Sequence, residues 1–172
     1  MKKLFVRQNG FTLIELVLVV ALLGIILVIT TVNLIRPVSK TKADSVATDI
    51  VSIIQEAQTK AINTDTAGTP QVVDWGVHFE NNQYILFRGN SFNSSDATNF
   101  VVDTPPNISL NSDLPCPSPP GNCNNIVFAK ISGGAIDFDE TKNSVCVTET
   151  ATNKSVLLII NFIGVVNVQS GC

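Results

Sequence analysis

The sequence has little of what side-chain catalysis needs. It contains a single histidine, His78, and no Gly-x-Ser-x-Gly segment, so no hydrolase triad is recognisable. Basic residues are scarce in its second part: from Asp65 onward there are four Lys and Arg against ten Asp and Glu. Such a surface repels phosphate backbones, which disfavours non-specific binding of nucleic acid. The composition therefore predicts a chain that is not an enzyme and needs no cofactor.

One arrangement imitates a zinc site. A His-x-Glu segment at His78, followed by Cys116 and Cys123, has the residue order of the zinc deaminases. The spacing fails, because six residues separate the two cysteines where a metal-binding pair usually has two to four. His78 also lies in a predicted strand. No zinc is therefore expected.

The apolar run from Gly10 to Ile35 is the dominant feature, and it carries one charge, Glu15. A helix of about 25 residues spans roughly 37 Å, enough to cross a hydrocarbon core of about 30 Å. The run is therefore predicted to be a transmembrane helix. No basic residue lies within a helical turn of Glu15, so its carboxylate must protonate or meet a charge on another chain.

A short basic leader ends at Gly10, and the sequence Phe-Thr-Leu-Ile-Glu follows from Phe11 to Glu15. This combination resembles the processing site of the type IV prepilin and pseudopilin family. The resemblance implies cleavage after Gly10, N-methylation of Phe11 and a role in assembly for Glu15, whose carboxylate can neutralise the amine of a neighbouring subunit. An uncleaved signal anchor or a secretory signal is the alternative, but no small-residue cleavage motif follows the run.

Helical spacing of apolar residues resumes after Pro37, where a kink is expected. The stripe formed by Val46, Ile50 and Ile54 predicts an amphipathic helix that ends near residues 61–64. Further on, short apolar segments separated by Gly, Asn and Pro predict strands at 73–80, 84–87, 100–103, 107–110, 126–129, 135–138, 145–148, 156–161 and 165–168. The predicted hairpin from Trp75 to Phe87, with a late apolar strand before Gly164, resembles the H-type minor pseudopilins.

The predicted fold class is α+β. A long N-terminal helix, transmembrane in its first half and amphipathic in its second, packs on antiparallel β-sheets as in pilins, because no second helix is available for parallel crossovers. The expected organisation is a leader at 1–10, an assembly helix at 11–36, an amphipathic helix at 37–64 and an exported β-rich domain at 65–172.

All four cysteines lie in the exported part, which indicates two disulfides formed outside the cytoplasm. Four cysteines allow three pairings, and proximity and role favour Cys116 with Cys123 and Cys146 with Cys172. An acidic turn made by Asp137, Asp139 and Glu140 is a candidate for calcium, although the ligand spacing of an EF-hand is absent and a solvated turn is the simpler interpretation.

Together these observations predict a pilin-like structural subunit, assembled into a type IV pilus or a type II secretion pseudopilus as a minor subunit. It would cross the bacterial cytoplasmic membrane once, with its C-terminal domain outside, and then enter an extracytoplasmic filament. Expected partners are the prepilin peptidase and methylase, other pilin or pseudopilin subunits, and the membrane. Two alternatives stay open: a tip module that binds DNA or a secreted protein, and an anchored domain that never polymerises.

Overall fold

The computed structural model describes residues 12–34, 42–68, 70–115 and 124–172. The chain divides into two compact units, Met1–Ser39 and Lys40–Cys172, and each is described by itself. Within the described ranges, the first unit holds one helix and the second holds one helix and eight strands.

Helix α1 spans Leu13–Leu34 and has one acidic residue, Glu15, in its first turn. Of the predicted assembly helix at 11–36, residues 11, 35 and 36 lie outside the described ranges. In the part of the chain that the structure describes, no helix is both long and apolar enough to cross a membrane.

Helix α2 spans Lys42–Ile62 and buries one stripe of small and branched residues. The buried residues are Ala43, Val46, Ala47, Ile50, Ile54, Ala57 and Ala61. Asp44 in the first turn and Lys60 in the last complement the helix dipole. The helix ends in a Schellman motif, since the N–H of Asp65 donates to the carbonyl of Lys60 at 2.9 Å and Thr64 takes a left-handed conformation. The predicted amphipathic helix is therefore confirmed over its described part.

Two four-stranded sheets, all of whose neighbouring strands are antiparallel, make up the described β-structure. The first has the order β3-β2-β1-β5 and comprises β1 (Trp75–Glu80), β2 (Gln83–Arg88), β3 (Phe100–Asp103) and β5 (Asn125–Phe128). The second has the order β4-β6-β7-β8 and comprises β4 (Ile108–Asp113), β6 (Ser144–Glu149), β7 (Lys154–Ile160) and β8 (Val166–Ser170). The predicted α+β class with antiparallel sheets is confirmed.

The core lies where α2 meets both sheets. Ile50 and Ile54 of α2, Phe79 and Phe128 of the first sheet and Leu158 of the second are all buried in one cluster. Helix α2 contacts both sheets. The small alanines in its buried stripe let the strands approach its backbone closely.

Strand β1 differs from its predicted half-buried pattern, because its residues from Trp75 to Phe79 are buried on both faces. The connection between β2 and β3 covers the outer face. Phe92 in that connection stacks on His78 with ring centroids 4.0 Å apart and meets Phe87 edge-on at 5.6 Å. A loop therefore covers the face of β1 that the sequence predicted to be exposed to solvent.

The predicted strand at 135–138 is wrong: the segment is an irregular connection between β5 and β6. Asp137 has a φ of 52°, which a strand does not accommodate. The N–H of Ala135 donates to Phe162 and that of Ile136 to Val127, so the segment bonds to two different elements. Its apolar residues are half-buried against these neighbours, which explains why they resemble a strand in sequence.

Candidate functional site

Helix α1 begins with a capping box formed by Thr12 and Glu15. The backbone N–H and the hydroxyl of Thr12 both donate to Oε2 of Glu15, each at 3.0 Å. The N–H of Glu15 donates in return to Oγ1 of Thr12 at 3.4 Å. This reciprocal pair satisfies backbone donors that the first turn of a helix leaves without intrahelical partners. Glu15 therefore defines where α1 starts, in addition to carrying its only charge.

Thr12 is the hydrogen-bond partner of Glu15 that sequence reasoning missed. The sequence shows no basic residue near Glu15 that could pair with its carboxylate. In the structure the carboxylate has a neutral hydrogen-bond partner, Thr12, three residues away. The spacing Thr-x-x-Glu at the start of an apolar run is the usual signature of a capping box and could have revealed the pair. Gly10 and Phe11, the predicted cleavage and methylation residues, lie outside the described residues.

Among the described side chains of α1, those of residues 13–25, Glu15 is the only polar one. Every large apolar side chain from Leu13 to Ile25 is at least 50% exposed within the chain. A helix that is apolar on all sides requires an apolar environment on all sides. Thr12 and Glu15 thus stand at the start of an exposed apolar segment, residues 13–25.

The disulfide between Cys146 and Cys172 is present, as predicted. Cys146 lies on β6 and pairs with Leu157 of β7, which in turn pairs with Gln169 of β8. The bond therefore ties the C-terminus to β6 of the second sheet. Cys116 and Cys123, the other predicted pair, lie outside the described residues.

The acidic turn does not gather its carboxylates around a common point. Asp139 accepts hydrogen bonds from the hydroxyl of Thr141 at 2.7 Å and from its N–H at 2.8 Å, and these bonds lower the pKa of Asp139. No group of three or more His, Cys, Asp or Glu side chains in the described residues could hold a metal ion. Asp137, Asp139 and Glu140 are thus not brought together as calcium ligands, and Asp139 serves the turn itself.

His78 occupies a buried polar position. Its Nδ1 lies 2.6 Å from Oδ1 of Asn125, and its Nε2 lies 3.5 Å from Oε1 of Glu80. Phe92 covers the ring. His78 and Glu80, the described residues of the deaminase-like order, therefore interact with each other and with Asn125.

An open cleft of about 310 Å³ lies beside α2 on the first sheet. Trp75, Leu86 and Phe100 supply its apolar lining. Lys60 at its edge lies 4.8 Å from the centre of the Trp75 ring and pairs with Asp65 at 2.8 Å. Glu56 also lines the cleft and lies 3.9 Å from Lys60, so this cation has two carboxylates near it.

Comparison with known proteins identifies the N-terminal segment. The family model of the prokaryotic N-terminal methylation motif matches residues 6–31. Among solved structures, the minor pseudopilin EpsH from the type 2 secretion system of Vibrio cholerae is similar, with 13% identity, a TM-score of 0.49, and coverage of 76% of this chain and 98% of that chain. No curated protein sequence matches the chain. The prediction from the first residues is confirmed: the chain carries an N-terminal methylation motif, and Gly10, Phe11, Thr12 and Glu15 lie within it.

Proposed function

We propose that this chain is a pilin-like structural subunit. It is cleaved after Gly10 by prepilin peptidase, methylated on Phe11 and assembled through α1 into a type IV pilus or a type II secretion pseudopilus, as a minor subunit. The observation that carries the proposal is the methylation motif at residues 6–31, within which Glu15 occupies the first turn of an otherwise apolar helix. The role is structural and includes no catalysis.

Glu15 supplies the specific step of assembly. A carboxylate surrounded by apolar helices is costly, and a cation brought close to it offsets much of that cost. Cleavage after Gly10 creates such a cation, the α-amino group of Phe11, on each subunit. The capping box supports this role because it holds Oε2 of Glu15 3.0 Å from the backbone nitrogen of Thr12, the residue that follows Phe11 in the chain.

The location follows from the same proposal. The subunit is stored in the cytoplasmic membrane with its leader inside and its β-rich domain outside, and then enters the filament. The membrane anchor rests on the sequence of residues 11–36 and on the motif, not on the geometry of α1. Its partners are the peptidase and methylase, other pilin-like subunits and the lipid bilayer.

Mass spectrometry of the protein purified from its own bacterium tests the processing step. The expected species has lost ten residues and gained one methyl group on Phe11. Gly10→Leu should leave the precursor intact, because a side chain at this position obstructs the approach of the peptidase to the backbone. Gly24→Ala is the matched control, since a Cβ at Gly24 meets nothing within 4 Å. Full processing of Gly10→Leu would contradict the proposal.

Three variants separate the charge of Glu15 from its capping role. Glu15→Val should be processed but lose most of its incorporation into filaments. Glu15→Gln keeps an oxygen that can accept from Thr12 and removes only the charge, so it should fail to the same degree. Thr12→Val removes the capping hydroxyl and keeps the charge, and should assemble much better than either. Normal assembly of Glu15→Gln would show that charge pairing is not the mechanism.

A further inference from the structure

The connection between β7 and β8 exposes two large apolar side chains at a position where turns are usually polar. The N–H of Gly164 donates to the carbonyl of Asn161 at 2.9 Å, which makes Phe162 and Ile163 the central residues of a four-residue turn. Phe162 is 62% exposed and Ile163 is 49% exposed. Central turn positions favour Pro, Asn, Asp, Ser and Gly. Two apolar residues here leave water-exposed surface that folding does not bury.

Neighbouring segments extend this surface at the C-terminal end of α2. Ile131, in the loop after β5, is 72% exposed and has a φ of 72°, a left-handed conformation that a β-branched residue rarely adopts. Its N–H donates to the carbonyl of Ala61, so it lies next to Ile62. The apolar patch is defined here as Ile62, Ile131, Phe162, Ile163 and Val165, each at least 46% exposed.

Hydrogen bonds hold the apolar patch in one arrangement. The side-chain amide of Gln58 donates to the carbonyls of Gly133 at 2.8 Å and of Ile163 at 2.5 Å. The N–H of Ala135 donates to the carbonyl of Phe162 at 2.9 Å. A surface that is already ordered loses little conformational entropy when a partner binds it.

An acidic rim adjoins the apolar patch on one side. Phe138 meets Phe162 edge-on, with centroids 6.4 Å apart, and is flanked in the chain by Asp137 and Asp139, with Glu140 next. The only cation in this turn is Lys142. From Lys42 to the C-terminus the chain has thirteen acidic and six basic residues, so a second copy would bring more negative charge to the rim.

We propose that the apolar patch is the docking surface for the globular domain of a different pilin-like subunit. That partner presents apolar side chains bordered by Lys or Arg, which complement the patch and its acidic rim. The inference rests on the proposed function and adds to it a contact made by the globular domain, separate from α1.

Photo-crosslinking in the living bacterium tests this contact. The full-length chain carries p-benzoylphenylalanine in place of Phe162, and the crosslinked peptide is sequenced. The expected product joins this chain to a different chain that has its own N-terminal methylation motif, at a segment containing Lys or Arg. The matched control places the same amino acid at Phe100, which is 56% exposed on the edge strand of the first sheet, and should give at least tenfold less of this product.

Several outcomes would overturn the proposal. The first is that position 162 gives no adduct. The second is an adduct with a second copy of this chain, with lipid or with a secreted protein. The third is an equal yield from position 100. Asp137→Lys with Glu140→Lys should lower the yield at least tenfold. Asp103→Lys with Asp113→Lys makes the same change of charge at exposed positions outside the rim and should leave the yield unchanged. An unaltered yield in the first pair would contradict the role of the rim.

Processing separates this proposal from the one on which it rests. If the wild-type chain loses its leader and gains the methyl group but Phe162 gives no adduct, only the docking surface is wrong. If the wild-type chain is not processed, the pilin-like function itself fails. The Cys146–Cys172 disulfide and the fluorescence of Trp75 report whether each variant has folded.

Discussion

The side-chain nitrogen of Gln58 lies 2.5 Å from the carbonyl oxygen of Ile163, joining residues that are 105 positions apart. Through this bond α2 holds the turn between β7 and β8. The same nitrogen also bonds Gly133, so one side chain connects the helix to two loops. The geometry of the apolar patch therefore depends on a polar residue that contributes no apolar surface to it.

Replacing Gln58 by Leu should destabilise the globular domain by about 1–3 kcal/mol, because two carbonyls would lose their partner. Urea unfolding of the full-length chain in detergent, followed by the fluorescence of Trp75, measures the effect. Gln55→Leu is the matched control, since Gln55 is exposed one turn earlier and should change stability by less than about 0.5 kcal/mol. Equal effects of the two variants would mean that the bonds of Gln58 contribute nothing measurable.

Gly164→Ala should lower the free energy of unfolding by more than the change of backbone conformation alone would. Gly164 has a φ of 81°, and a Cβ there would lie 2.5 Å from Nε2 of Gln58 and 2.8 Å from Cε1 of Phe128. Gly68 has a similar φ of 79° but nothing within 4 Å, so Gly68→Ala measures the conformational cost, about 1–2 kcal/mol. Gly164→Ala should lose roughly 1–3 kcal/mol beyond that value in the same unfolding assay. A difference close to zero would show that the turn relaxes freely.

Removing the disulfide with Cys146→Ser and Cys172→Ser should lower the free energy of unfolding by roughly 3–4 kcal/mol in the chain-entropy model. The two cysteines are 26 positions apart, and the bond constrains the unfolded chain accordingly. Peptide mapping of the oxidised wild-type protein provides the independent check. A map that joins Cys146 to either of the two other cysteines would contradict the pairing.

Tyr84 should make the domain sensitive to alkali. Burial, with a smaller contribution from the charge of Asp49, raises its pKa to about 12 from an ordinary 10.0. The folded chain therefore keeps a proton that the unfolded chain releases, so this contribution to stability is complete below pH 10 and is lost as the pH rises to about 12. Over two pH units the loss is about 2–3 kcal/mol.

Absorbance titration can follow Tyr84 alone, because it is the single tyrosine of the chain. The midpoint should lie near pH 12 in the native protein and near pH 10 in urea. Tyr84→Phe should lose stability less steeply over this range, because it has no phenol to ionise. A native midpoint near pH 10 would contradict the burial of the hydroxyl group.

The elements that follow a clear period could be predicted from the sequence. The stripe of α2 recurs at helical spacing because one face packs on the sheets, and β1 alternates in sequence because one of its faces lies on the core. The predicted strand at 135–138 failed for a physical reason. Apolar residues in a short segment indicate burial, but they do not say whether neighbouring N–H groups bond to one strand or, as at Ala135 and Ile136, to two different elements.

The processing motif and the apolar patch also differ in how far they could be predicted from the sequence. The processing motif is local, so the resemblance on which the predictions for Gly10, Phe11 and Glu15 rest is visible in a few adjacent residues. Thr12 was within reach of the same reasoning, since its capping box is also a local pattern. The apolar patch was not: the predicted strands at 156–161 and 165–168 place Phe162 and Ile163 in a connection, but only the fold shows that both stay exposed and lie near Ile131.

The sequence by itself determined the apolar N-terminal helix with its single carboxylate, the amphipathic helix and the antiparallel class, because periodicity and local motifs act over a few residues. Only the tertiary structure decided which side chains remain exposed and which loops are held together. The bond from Gln58 to Ile163 and the burial of both faces of β1 join distant segments, and their energies depend on where the chain returns in space.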